Sequence, residues 1–218
     1  MSDDTLAKKL LQENIKASEK RLTQKSEEAL SFWYILPLIK DKKVLDAGCG
    51  TGIYLRHFSR ESIGIDIVEE NIQVCRSQGL NAIKADLNES LPFKDRSFDV
   101  VFCSHTLEHV YSPLLLLKEF NRVLKDGGLV IIAVPTERSL VRILVDHYFK
   151  DHPSHIYGFS VDCLQRLLEL AGFRPIRLYV DVPLTHKPGL RWLCKLANKV
   201  PKIFLGISNA FWIIGKKE

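Results

Sequence analysis

Three carboxylates stand at an even spacing, each at the end of a short apolar run: Asp46 in VLDA, Asp66 in SIGID and Asp86 in NAIKAD. The first is followed at once by Gly48, Gly50 and Gly52, with Cys49 among them. Alternate glycines after a strand let backbone approach a ligand closely, and a helix beginning there would aim its first amides at it. A dinucleotide fingerprint would read G-x-G-x-x-G, whereas this loop reads G-x-G-x-G behind an acid. A pyrophosphate is repelled by that carboxylate; a cationic ligand is attracted. Asp66 is placed to bind both hydroxyls of a ribose lying across the strand ends. Asp86 suits an exocyclic amine, and its neighbour Leu87 suits the face of a base.

Histidines supply the second group of candidates. His105 follows the apolar run Phe98–Cys103, where ligands of open α/β sheets bind. An imidazole with a pKa near ~6.5 could take a proton from a hydroxyl acceptor there. His109 lies one helical turn further on and reads as a capping or packing residue. His147, His152 and His155 form a later cluster with Asp146, Asp151 and Tyr157. Pro153 breaks the helical facing of His152 and His155, and no Cys ligand is near, so no metal is expected. His152, His155 and Tyr157 are read instead as lining an acceptor pocket. The five cysteines form no C-x-x-C pair and are read as reduced thiols.

Strands alternating with helices must position these groups. Residues 2–39 read as helix, with Pro37 near the end. Strand patterns at 44–47, 62–66, 81–86, 98–103 and 128–135 alternate with helical patterns at 52–60, 68–78 and 113–124. A helix at 160–170 and two last strands, 174–182 and 209–217, complete the chain. This alternation predicts parallel β-α-β units, and strands apolar on both faces predict helices above and below the sheet. One domain is expected over 1–218: a helical cap at 1–40, a core at 43–173 and an insertion at 182–208.

Hydrophobic residues at 46% and charged residues at 26% describe an ordinary globular protein and exclude disorder. The longest uninterrupted apolar run, Leu129–Val134, is far short of the ~20 residues of a membrane helix. With no signal-like start, a cytoplasmic protein is expected. The net charge of +5 is unevenly held: Val182–Glu218 contains seven Lys/Arg and one acid. Arg191, Lys195, Lys199 and Lys202 recur at helical spacing among Leu190, Trp192, Leu193, Leu196, Val200, Phe204 and Leu205. A basic amphipathic helix over 189–206 could lie on an anionic membrane or pack on the domain, with Pro201 kinking or ending it.

Taken together, VLDAGCGTG, GIDI, KADLNESLPFKDRSFDVVFC, TLEHV and LKEFNRVLKDGGLVIIAVP occur in the order in which they occur in class I S-adenosylmethionine-dependent methyltransferases. The chain resembles that family, its type 11 small-molecule branch in particular, from about Lys43 to Phe173. The resemblance implies a three-layer Rossmann-like α/β fold with seven strands ordered 3-2-1-4-5-7-6, the last antiparallel. It implies S-adenosylmethionine as cofactor, with Asp46, Gly48, Cys49, Gly50 and Gly52 around the methionine moiety. Asp66 and Ile67 would meet the ribose, Asp86 and Leu87 the adenine, and Cys103 would lie beside the sulfonium.

Subtype motifs narrow the acceptor. The N/D-P-P-Y/F string of amino-methylating DNA enzymes is replaced by CSHT, no Pro-Cys nucleophile precedes the site, and Glu108 lacks the second glutamate of arginine methyltransferases. A small-molecule or lipid-like acceptor, methylated at oxygen with His105 or His155 as catalytic candidates, is expected; nucleic acid is not. Two alternatives stay open: a nicotinamide-dependent oxidoreductase of similar topology, and a partner subunit that binds S-adenosylmethionine without catalysis.

Overall fold

The computed structural model describes residues 29–136, 155–182 and 191–218. In chain order the elements are α1 (Phe32–Ile39), β1 (Val44–Ala47), β2 (Ile63–Asp66), α2 (Glu69–Ser77), β3 (Ala82–Lys84), β4 (Phe98–Ser104), α3 (Pro113–Val123), β5 (Leu124–Pro135), α4 (Val161–Leu170), β6 (Phe173–Asp181), α5 (Arg191–Lys199), α6 (Pro201–Phe204) and β7 (Ala210–Lys217). The seven strands form one sheet in the order β3-β2-β1-β4-β5-β7-β6. Strands β1 to β5 run parallel, and β7 is antiparallel to both neighbours. This is the expected α/β arrangement.

The period-2 alternation of each strand feeds two cores. Leu45, Val101, Ile132 and Ile213 pack on one face with Leu117 and Phe120 of α3 and Leu164 of α4. Val44, Phe102, Ile131 and Trp212 pack on the other with Phe32 and Ile35 of α1 and Ile72 of α2. Because both faces are covered, the central strands have no solvated side, which explains their unbroken apolar runs.

Several elements depart from expectation. No α-helix forms at 52–60: turns lead to a short 3-10 segment, Leu55–His57, which ends where Phe58 turns extended with ψ 170°. The loop is still closing at Gly52, and β-branched and aromatic residues follow, so one tight turn is all that fits before β2. The third strand ends at Lys84, leaving Asp86 beyond it in a turn. The insertion is two helices rather than one. Val200 takes φ −132° and ψ 58°, and Pro201 opens α6 at the first-turn position it tolerates. Of the expected N-terminal helix, residues 2–28 lie outside the described residues; α1 is the described remainder.

Candidate active site

The site is built where the loops after β1, β2 and β4 meet. Gly48 has φ +79°, and a Cβ on it would stand 2.2 Å from Thr106 Oγ1, so the loop after β4 closes against bare backbone. Gly50 also has a positive φ, +51°, but a Cβ there would meet nothing within 4 Å. The first glycine therefore lets two loops touch and the second borders open space. Gly52 lies against Leu80 and Cys75 and serves packing.

The loop's amides are spent internally. Gly48 N–H and Cys49 N–H both donate to Ile65 O, at 2.8 and 2.9 Å, and Gly52 N–H donates to Cys49 O. Gly50 N–H donates to Asp66 Oδ2 at 2.9 Å. Hence no amide of these four is left for an anion, and with the helix at 52–60 absent there is no helix dipole to add. The sequence expectation that helix amides would point at the ligand is corrected: the loop offers shape, and its charge comes from carboxylates. Behind it, Cys75 Sγ donates to Gly50 O at 3.3 Å, and the Cys49 and Cys75 thiols interact.

Asp46 is 1% exposed, and its Oδ2 has no hydrogen-bond partner among the described residues. Burial pushes its carboxyl well above the usual range, and negative charge on Cys75 and Asp66 adds to the effect. An orphaned buried carboxylate oxygen is costly, and an ammonium donor offsets that cost. Asp66 is held at the end of β2: its Oδ1 accepts from Val68 N–H at 2.9 Å and from Asn71 Nδ2 at 3.2 Å. With one donor on Oδ2 there is lone-pair capacity left for a hydroxyl. Ile67 follows directly. These groups fit the amino-acid and ribose parts of S-adenosylmethionine.

Asp86 Oδ1 accepts from the Asn88 N–H and Nδ2, at 2.8 and 2.9 Å, fixing a turn. Asn88 Oδ1 in turn accepts from Tyr111 N–H at 2.8 Å, which ties the loop after β3 to the one after β4. Leu87 is half-buried against the core. The side chain of Cys103 is wholly buried among core residues, so what it presents at this end of β4 is backbone. Strand alternation turns it inward.

On the acceptor side, His105 has φ +52°, a left-handed conformation that non-glycine residues rarely adopt and that concentrates at functional sites. Its amide donates to Ala133 O at 2.9 Å, and its Nδ1 lies 3.7 Å from Glu108 Oε1, too long for a hydrogen bond. Burial raises the Glu108 carboxyl, but His105 and His109 beside it outweigh this and hold it below the ordinary range. The segment that carries His155 is pinned here: Glu108 O accepts from Ile156 N–H at 2.9 Å and Tyr157 N–H at 3.2 Å. Tyr157 Oη donates to Tyr111 O at 2.9 Å. The His109 and His155 rings meet edge to face, 4.8 Å between centroids. So His105, His155 and Tyr157 do converge. His147 and His152, with Asp146 and Asp151, lie outside the described residues. Sequence reasoning missed Glu108 as the hub, whose signal was an acid one residue before a histidine in TLEHV.

Residues 17–178 match the Methyltransferase domain family. A malonyl-acyl-carrier-protein O-methyltransferase of Herminiimonas arsenicoxydans is 37% identical over 190 residues, covering 84% of this chain and 72% of that protein. A demethylmenaquinone methyltransferase of Staphylococcus aureus is 36% identical over 112 residues, 46% of each chain. The chain spans about half to three quarters of the length of the curated relatives it matches. In three dimensions it is similar to an S-adenosylmethionine-dependent methyltransferase of Archaeoglobus fulgidus, with TM-score 0.66 and 27% identity over 86% of this chain and 91% of the other.

Proposed function

The chain belongs to the S-adenosylmethionine-dependent methyltransferase family, and from that premise we propose that it methylates an oxygen of a small or amphiphilic acceptor. The observation that carries this reading is the orphaned Asp46 carboxylate oxygen beside a glycine loop whose amides are already used. A dinucleotide phosphate would find the amides of Gly48, Cys49, Gly50 and Gly52 already used, which speaks against the oxidoreductase alternative.

When bound, S-adenosylmethionine supplies an electrophilic methyl on a sulfonium. Asp46 would hold the ammonium of its amino-acid end and Asp66 the ribose, so that the methyl is presented toward the end of β4. In-line approach is the main service required. His105 stands there to take the acceptor's hydroxyl proton, a contribution of about 10²- to 10⁴-fold. Oxygen is favoured because an imidazole and a carboxylate share the acceptor side, and because relatives such as the malonyl-acyl-carrier-protein enzymes are O-methyltransferases. The outward face of α5 and α6 combines Lys195, Lys199 and Lys202 with exposed Trp192 and Ile203, which supports peripheral contact with an anionic membrane during encounter with an amphiphilic acceptor.

Isotope-labelled S-adenosylmethionine incubated with a fractionated cell extract, and with a malonyl thioester as trial acceptor, tests the reaction. Base-labile label in a small-molecule or lipid fraction is expected for an ester, acid-stable label for an ether. Asn tolerates positive φ, so His105→Asn should keep the backbone and lower turnover at least ~100-fold. Cofactor binding with no transfer into any fraction would favour the non-catalytic subunit instead.

A further inference from the structure

Glu108, His109 and His155 each offer one ligand atom, and these atoms all lie within 4.8 Å of one another. Glu108 is 1% exposed, and both of its carboxylate oxygens lack a hydrogen-bond partner among the described residues. A buried carboxylate so placed, with two imidazoles adjoining, is a set of donors of the kind that holds a metal ion. Metal–ligand bonds of about 2.0–2.2 Å put tetrahedral ligands roughly 3.3 Å apart, so small side-chain adjustments would close the set. The framework is already fixed, since Glu108 O receives the Ile156 and Tyr157 amides and holds His155 across from His109. The sequence offered a different triplet, His147, His152 and His155, and its spacing argued against a metal; this one is assembled across the fold.

We propose that Glu108, His109 and His155 form a site for one divalent transition-metal ion of the zinc class, with its remaining position open toward the acceptor side. Two imidazoles and one carboxylate suit such an ion, whereas magnesium and calcium prefer oxygen ligands. Three protein ligands leave the open position that catalytic sites keep. Resting on the methyltransferase reading, the ion would bind the acceptor's hydroxyl and lower its pKa, so that the O–H proton passes to His105 and from there to solvent. The oxygen lone pair then forms the new bond to the methyl carbon, and the carbon–sulfur pair stays on sulfur.

The full chain, stripped with chelator, is titrated with Zn²⁺ and Co²⁺, and S-adenosylmethionine binding is measured separately by calorimetry. One equivalent of Co²⁺ is expected, with the visible absorption of a tetrahedral or five-coordinate centre, displaced by Zn²⁺. Glu108→Gln and His155→Ala should each weaken binding at least tenfold. Because Glu108 is buried, the half-buried His155 keeps the test available if the first variant misfolds. Stoichiometric metal binding that His155→Ala leaves unchanged, or no stoichiometric binding by the wild type, would overturn the site. S-adenosylmethionine binding by a protein that takes up no metal would sink the metal alone; metal binding without cofactor binding would sink the functional reading instead.

Discussion

Asp46 is the residue to which the proposed function assigns the cofactor's ammonium, and its protonation gives a testable sign. Burial lifts its folded carboxyl well above the unfolded value of 3.8, so the folded protein holds that proton more tightly. The contribution of Asp46 to stability is therefore greatest below pH 3.8 and falls as pH rises toward the raised folded value. Asp46→Asn should remove that fall, giving a cofactor-free protein with a higher Tm than wild type at neutral pH. The same variant should bind S-adenosylmethionine about 10- to 100-fold more weakly, because a charge-assisted hydrogen bond is lost. Melting curves across pH, with and without cofactor, check both halves, and equal Tm values with unchanged affinity would refute the assignment. The acids at the strand ends were legible in the sequence because each closes an apolar run. The use made of the loop amides was not, since Gly48 and Cys49 reach Ile65 only through the registry of β1 with β2. Nor was the Glu108 cluster, because His155 joins it through a backbone contact distant in sequence.

At the scale of elements, Asp181 at the end of β6 ties the segment before α1 to β7 and the sheet. Its Oδ1 accepts from Ser31 N–H at 3.0 Å, just before α1, and its Oδ2 accepts from the buried Trp212 Nε1 of β7. Ser31 Oγ donates to Val180 O, and Asn198 of α5 accepts from Val180 N–H at 2.8 Å, so three elements converge on one strand end. Asp181→Ala would leave two buried donors unsatisfied at about 1–3 kcal/mol each. At about 2–4 °C per kcal/mol for a chain of this size, Tm should fall by roughly 4–24 °C. Asp181→Asn, which retains one carbonyl acceptor, should fall by less. Calorimetry on the two variants decides this, and a loss below ~2 °C for alanine would show that water takes over both donors. The strands and helices themselves were legible from periodicity, and the sheet order came with the family resemblance. The missing helix at 52–60 was not, because an apolar pattern there satisfies a 3-10 turn equally well and the loop geometry decides.

The whole molecule separates a cofactor-binding body from a basic C-terminal region, and the packing of α5 gives that division its meaning. Cys194 and Ala197 face the protein and are buried, while Trp192 is 58% exposed and Ile203, in α6, 76%. Lys195, Lys199 and Lys202 are exposed among them. Sequence spacing had set the lysines on one narrow face against an apolar remainder; the fold instead hides small residues and leaves large apolar side chains outside beside the charges. Among the described residues no helix is long and apolar enough to cross a membrane, so contact would be interfacial. Vesicles containing anionic lipid should sediment the protein and neutral vesicles should not, with the association weakening between about 0.1 and 0.5 M salt as the Debye length shrinks. At about 1 kcal/mol per basic residue, replacing Lys195, Lys199 and Lys202 by Gln should weaken binding roughly 100-fold. Trp192→Ala with Ile203→Ala should weaken it while leaving the salt dependence in place, because those side chains supply buried area and not charge. Equal sedimentation with both vesicle types, or none with either, would assign this surface to a protein contact or to solvent.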